Sequence, residues 1–170
     1  MKIYTILGVA IMACACQDST TTDVTNDYTG NESIYALQAG SVYDVDGTVT
    51  FKERNDGATD VVIAVSGTEG NLKNPVHLHL GDVTTDGAKV AALLNPVNGK
   101  TGISNTRLTM MADETTITYQ QLIKLNACIK IHLSDSGPEQ DIVLAGGNIG
   151  EAAAKSISNG RLSIGVCKSN

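Results

Sequence analysis

Aromatic side chains are scarce: the 170 residues include no Trp, one Phe and five Tyr, 4% in all. A core made from this sequence must be packed with Val, Ile, Leu and Ala. Basic charge is also short, with 12 Lys and Arg against 18 Asp and Glu and a formal net charge of −6. That balance lacks the basic footprint of a nucleic-acid binder and excludes nucleic acid as the expected partner. No apolar run approaches the roughly 20 residues that a membrane-spanning helix needs. There is no glycine-rich phosphate loop, no Cys-x-x-Cys pair and no repeat with a period of about 20–50 residues. No Ser-His-Asp grouping is visible locally, although such a triad need not be contiguous. At 42% apolar and 18% charged, the chain is still too apolar to be wholly disordered. Its length suits one domain with room for a tail.

What is present begins with Lys2 and an almost wholly apolar stretch from Ile3 to Ala13. Too short to span a bilayer, it reads as a secretory signal peptide. Ala13-Cys14-Ala15-Cys16 then leads into Gln17-Asp18-Ser19. Small residues before a Cys at the end of such a run resemble a bacterial lipobox, which implies that the Cys is diacylated and becomes the mature N-terminus. Cys14 has Ile11 three residues before it. Cys16 allows a signal of ordinary length, is followed directly by polar sequence, and is the favoured lipidation site. An ordinary cleaved signal with incidental cysteines is the alternative. Residues 17–33 are nearly all polar or small, so no face can be buried. The expected organisation is a signal peptide over 1–15, a lipidated polar tether over 16–40 and a folded domain over 41–170. The implied location is the bacterial cell envelope. The membrane is held through acyl chains alone, since an acidic chain gains nothing from anionic lipid.

After processing, Cys128 and Cys167 remain. An oxidising compartment and an even remainder predict a disulfide between them, with two unpaired thiols as the alternative. In Cys128-Ile129-Lys130-Ile131-His132-Leu133 the apolar alternation leaves Cys128 on the polar face. In Arg161-Leu162-Ser163-Ile164-Gly165-Val166-Cys167 it leaves Cys167 there too. Both thiols are therefore expected outside the core.

Period-two patterning dominates the rest. Tyr43, Val45, Gly47, Val49 and Phe51 share one face, and Asn55-Asp56-Gly57 is a hairpin signal. Val61, Ile63 and Val65 line the returning strand. Val76, Leu78 and Leu80 alternate with His77 and His79. Lys89 to Leu94 reads as a strand ended by Asn95-Pro96, and Arg107 to Met111, Ile129 to Leu133 and Ile142 to Ala145 are further strands. Thr118-Tyr119-Gln120-Gln121 has capping-box spacing, and Glu151-Ala152-Ala153-Ala154-Lys155 has high helix propensity. The predicted class is all-β: an antiparallel Greek-key sandwich or barrel with one or two short helices.

All three histidines fall in two strand motifs, Val76-His77-Leu78-His79-Leu80-Gly81-Asp82 and Lys130-Ile131-His132-Leu133. The His-x-His spacing puts both imidazoles on one face with Cβ atoms about 7 Å apart, close enough to share an ion. His132 is on the polar face of its own strand. If the two strands are neighbours, His77, His79 and His132 form a three-imidazole site on the outer wall, suited to copper, zinc, iron or nickel. Polar residues, His included, are also ordinary on the exposed face of a sheet.

Residues 40–82 resemble the N-terminal half of copper–zinc superoxide dismutases. The order is Val45-Asp46-Gly47-Thr48-Val49-Thr50-Phe51, the Asn55-Asp56-Gly57 hairpin, Gly67-Thr68-Glu69-Gly70, His77-Leu78-His79 and Gly81-Asp82. Ile129-Lys130-Ile131-His132 is similar to the strand carrying that family's third copper histidine. Leu144-Ala145-Gly146-Gly147-Asn148-Ile149-Gly150 is similar to its closing strand. The same order also resembles the chordin-type CHRD domain of secreted bacterial proteins. The resemblance covers about residues 40–150 and implies a dismutase-like sandwich with His77, His79 and His132 as a mononuclear copper or zinc site. The departures matter equally. A fourth His is absent, so the dismutase two-metal centre is excluded. No Arg near Gly146-Gly147-Asn148 matches the one that steers superoxide, and the family's disulfide pattern is missing. The CHRD likeness fits better, and implies a non-catalytic envelope module with a protein or glycan partner. A mononuclear copper dismutase-like enzyme and a purely structural lipoprotein are the alternatives.

Overall fold

The computed structural model describes residues 26–159. The signal peptide, Cys14 and Cys16, the first part of the tether, and the Arg161–Cys167 strand with Cys167 lie outside the described residues. Eight strands are present: β1 (Tyr28–Ala39), β2 (Asp46–Arg54), β3 (Thr59–Ser66), β4 (Lys73–Leu80), β5 (Val90–Asn98), β6 (Ile103–Leu108), β7 (Asn126–His132) and β8 (Val143–Ile149). Two short helices join them, α1 (Tyr119–Leu122) and α2 (Gly150–Asn159). The strands close into an antiparallel barrel in the order β1-β2-β3-β6-β5-β4-β7-β8, as the all-β expectation required. Within it, β6, β5 and β4 are consecutive neighbours and β7 returns beside β4, which is a Greek key.

Two seams are thin. β1 meets β8 only through Gln38 opposite Gly146 and Ala39 opposite Ala145, and β5 meets β6 only through Asn98 opposite Ile103. They divide the barrel into a β1-β2-β3-β6 half and a β5-β4-β7-β8 half. Side chains stitch the second seam: the Asn95 amide N–H donates to Thr106 Oγ1 (2.8 Å), and Ser104 Oγ donates to the Asn95 carbonyl (2.6 Å). At the first, Gly147 is obligatory, because a Cβ there would come within 2.0 Å of the Ala36 carbonyl oxygen.

The core follows the alternation. Val49, Phe51, Val61, Ile63, Val76, Leu78, Ile129 and Ile131 are all buried inside the barrel. The single Phe meets Tyr35 edge-on with centroids 5.7 Å apart. The turn between β2 and β3 places Gly57 at φ +85°, a region Gly enters without strain. At α1, Thr118 accepts from the Gln121 amide while Gln121 Oε1 accepts from the Thr118 amide, so the predicted capping box forms.

Three boundaries differ from the sequence reading. The tether expected to reach residue 40 ends earlier, because Tyr28–Ala39 is β1 and the barrel starts there rather than at Ser41. Only Leu37 of β1 is fully buried, so the strand carries little apolar signal and is held by its ladder to β2. Pro96 does not end β5. Asn74 pairs with Val97 and Val76 with Leu94, so Pro75 faces two residues across a bulge, where a missing N–H is tolerated. The strand expected at 107–111 lies at Ile103–Leu108, its start set by the turn at Gly102 (φ +68°).

Candidate metal centre

Strands β4 and β7 are neighbours, with Val76 opposite Ile131, His77 opposite Lys130 and His79 opposite Cys128. Val76, Leu78, Ile129 and Ile131 point into the barrel, so His77, His79, Cys128, Lys130 and His132 share the outer face. Both distant motifs thus meet. Ring centroids are 5.6 Å apart for His77–His79, 4.7 Å for His77–His132 and 6.0 Å for His79–His132. One nitrogen from each ring lies within 4.8 Å of the others. Three imidazoles on one tetrahedral ion stand about 3.3 Å apart, so small side-chain rotations close the gap.

Two register shifts lie beside the rings. The β4–β5 register shifts between Leu78 and His79, and the β7–β8 register shifts between Ile131 and His132. Each shift places its extra residue in the neighbouring strand, Ala91 of β5 and Leu144 of β8, so β4 and β7 keep their alternation through His79 and His132.

The outer wall is not open to solvent here. His79 and His132 are 3% and 2% exposed, and His77 is partly buried. Residues 81–89 and 133–142 fold over them from the ends of β4 and β7, and α2 packs on β7 and β8. Gly81, at φ +95°, lets the chain turn back directly after the His-x-His pair. The same cover explains why Cys128, expected on an exposed polar face, is fully buried. Among the described residues there is no disulfide.

Each segment supplies a carbonyl to a ring. His79 Nδ1 lies 2.7 Å from the Ala88 oxygen, and His132 Nδ1 lies 3.0 Å from the Gln140 oxygen. A carbonyl only accepts, so both Nδ1 atoms carry the proton, and Nε2 is the ring nitrogen with a lone pair to offer an ion. Outer-shell carbonyls orient metal-binding histidines in this way. His77 makes no hydrogen bond among the described residues and is free to adopt either tautomer.

Burial pushes the pKa of all three imidazoles down. For His132 the value falls to about 4, through burial first and then the charge of His77. For His79, burial outweighs the hydrogen bond to Ala88, helped by Lys130 and His77. All three rings are therefore neutral near pH 7, the form that binds metals.

Lys130, between Cys128 and His132, is fully buried, and its ammonium donates to the Thr85 carbonyl at 3.3 Å. Sequence reasoning had placed it on the polar face without a role. The carbonyls of Ala88 and Gln140 gave no signal at all, because any residue type supplies one. Asp82 was visible in the Gly81-Asp82 motif. Burial opposes its charge, but hydrogen bonds from the Thr84 hydroxyl and amide and from Asn148 outweigh that and hold its carboxyl below the usual value.

The chain matches no known family pattern, and no curated protein is similar to it.

Proposed function

We propose that this protein is a lipid-anchored component of the bacterial cell envelope. Its dismutase-like, CHRD-type barrel holds one copper or zinc ion through His77, His79 and His132 and serves as a binding module rather than a catalyst. The observation that carries the reading is the convergence of three imidazoles with one ring nitrogen each within 4.8 Å of the others, two of the rings oriented by backbone carbonyls at Nδ1. Neutral imidazole suits copper and zinc. A three-ligand set leaves a coordination position for water or for a donor group of a protein or glycan partner.

Metal content decides it. The detergent-extracted full chain, loaded with Cu(II) or Zn(II) and desalted, is expected to retain one ion per chain. The His77→Ala/His79→Ala and His132→Ala variants should retain none. Equal metal in wild type and variants overturns the reading. A mononuclear copper enzyme of dismutase-like chemistry is the second reading, favoured by the partial exposure of His77, the side from which a small molecule would reach the ion. Superoxide-dependent turnover by the copper-loaded chain would establish it, and its absence leaves the binding module. For the anchor, Cys16→Ala should abolish fatty-acid labelling while Cys14→Ala should not.

A further inference from the structure

We propose that Asn148 is a positioning residue for the metal centre: by clamping residues 81–89 against β8, it holds the Ala88 carbonyl on His79 Nδ1–H and so fixes the nitrogen that His79 presents to an ion. The inference rests on the three-histidine reading above and names a residue outside it.

Asn148 lies in the same row as the ligand. His79 is opposite Cys128, and Cys128 is opposite Asn148, so the three cross β4, β7 and β8 on the outer face. Its buried amide is fully used: Oδ1 accepts from the Val83 N–H at 2.6 Å, and Nδ2 donates to Asp82 Oδ2 and to Ser156 Oγ, each at 2.6 Å. Asp82 in turn accepts from the Thr84 amide and hydroxyl. Val83, inserted beside it, is completely buried. The base of the segment is closed by Leu80 N–H to the Lys89 carbonyl (2.9 Å) and by Gly81 N–H to the Asn126 carbonyl (2.8 Å). Between that base and the Asn148 clamp, the chain has one course over the site, and along it lie the carbonyls of Thr85 on Lys130 and Ala88 on His79.

The chemistry of the clamp selects Asn. One planar group must offer an acceptor to a buried N–H and two donors to oxygens. An apolar residue leaves the Val83 N–H buried without a partner, and Asp sets a second carboxylate against Asp82. The structure also provides an internal control: His132 takes its carbonyl from Gln140, in the other covering segment, whereas the Asn148 side chain hydrogen-bonds to Val83, Asp82 and Ser156.

The test uses the full chain with nitrogen-labelled histidine. In the metal-free wild type, two slowly exchanging imidazole Nδ1–H signals are expected, from His79 and His132. In Asn148→Ala the His79 signal should be lost while that of His132 stays. Cu(II) affinity, read by chelator competition, should fall about 10–100-fold, with an altered Cu(II) paramagnetic resonance spectrum. Ser156→Ala, which removes only the helix partner, should keep both proton signals and near-wild-type copper affinity. If Asn148→Ala does not fold, Asn148→Asp keeps the side-chain size and should show the same selective loss at His79. An Asn148 variant with wild-type His79 signal and copper affinity overturns the positioning role. So does loss of both histidine signals together, or a Ser156→Ala variant that behaves like Asn148→Ala. A wild type that takes up no copper overturns the metal reading instead, and is seen before any variant is made.

Discussion

The two faces of the β4–β7 pair are both nearly dry, and they are dry for different reasons. Inside, Val76, Leu78, Ile129 and Ile131 are shielded by other apolar side chains, where density and shape suffice. Outside, His79, Lys130 and His132 are shielded by two covering segments and a helix. There each buried polar side chain needs a specified partner, and each of the three has a backbone carbonyl: Ala88 for His79, Thr85 for Lys130 and Gln140 for His132. An apolar face tolerates exchange among residues of similar volume, whereas a buried polar face tolerates little. The contrast separates what holds the barrel from what equips it.

The largest expected effect tests the inner face. Ile131→Ala removes a completely buried side chain flanked in sequence by Lys130 and His132. It should cost about 2–5 kcal/mol of unfolding free energy, measured by urea denaturation of the full chain. The folded fraction should keep its metal stoichiometry, because the rings lie on the other side of the sheet. A cost below about 1 kcal/mol would show that the inner face is not close-packed. Loss of metal from the folded fraction would show that the two faces are not separable.

Acidification should act on the outer face instead. His132 is held at about 4 in the folded chain, against about 6.5 when unfolded. Its neutral form is thus favoured by folding. As pH falls below about 6.5 the unfolded chain takes up a proton that the folded chain refuses, and stability drops until pH passes about 4. The contribution of His132 is fully present above about pH 6.5 and at most about 3 kcal/mol. His77 and His79 shift in the same direction and add to the slope. The metal-free full chain should therefore unfold at lower urea at pH 4.5 than at pH 7.5, and His132→Gln should flatten that difference. An unchanged slope in the variant would mean that the ring is not buried neutral.

The same division explains how much could be read from the sequence. The inner face was legible: alternation placed Val49, Phe51, Val61, Ile63, Val76 and Leu78 correctly, because burial by an apolar core leaves a period-two trace. The identities of the three clustered histidines were legible because histidines are so few. Their proximity was not, since pairing between strands about 50 residues apart leaves no local mark. Nor was their burial. The segment after Gly81 contains Asp82, Thr84, Thr85 and Asp86 and looks like a solvent loop, yet it folds down because its polar groups find partners in Asn148 and Lys130. β1 was missed for a related reason. Its residues Thr29 to Glu32 are polar, and the strand is specified by backbone pairing with β2 rather than by a buried stripe.

The smallest expected effect asks where the covered region stops. Leu93 on β5 is in register with His77, so it belongs to the same outer face, yet it is 70% exposed. Neither 81–89 nor 133–142 reaches over it, and an exposed side chain loses little when truncated. Leu93→Ala should change unfolding free energy by no more than about 0.5 kcal/mol. Its effect on Cu(II) affinity should stay below about threefold, since His77 is oriented by its own strand and not by this neighbour. A stability loss near that of Ile131→Ala would place Leu93 under cover and extend the dry outer face across β5. A selective loss of copper affinity at unchanged stability would make Leu93 a wall of the site, pressing on His77, the one ring of the three that has no hydrogen bond among the described residues to hold it.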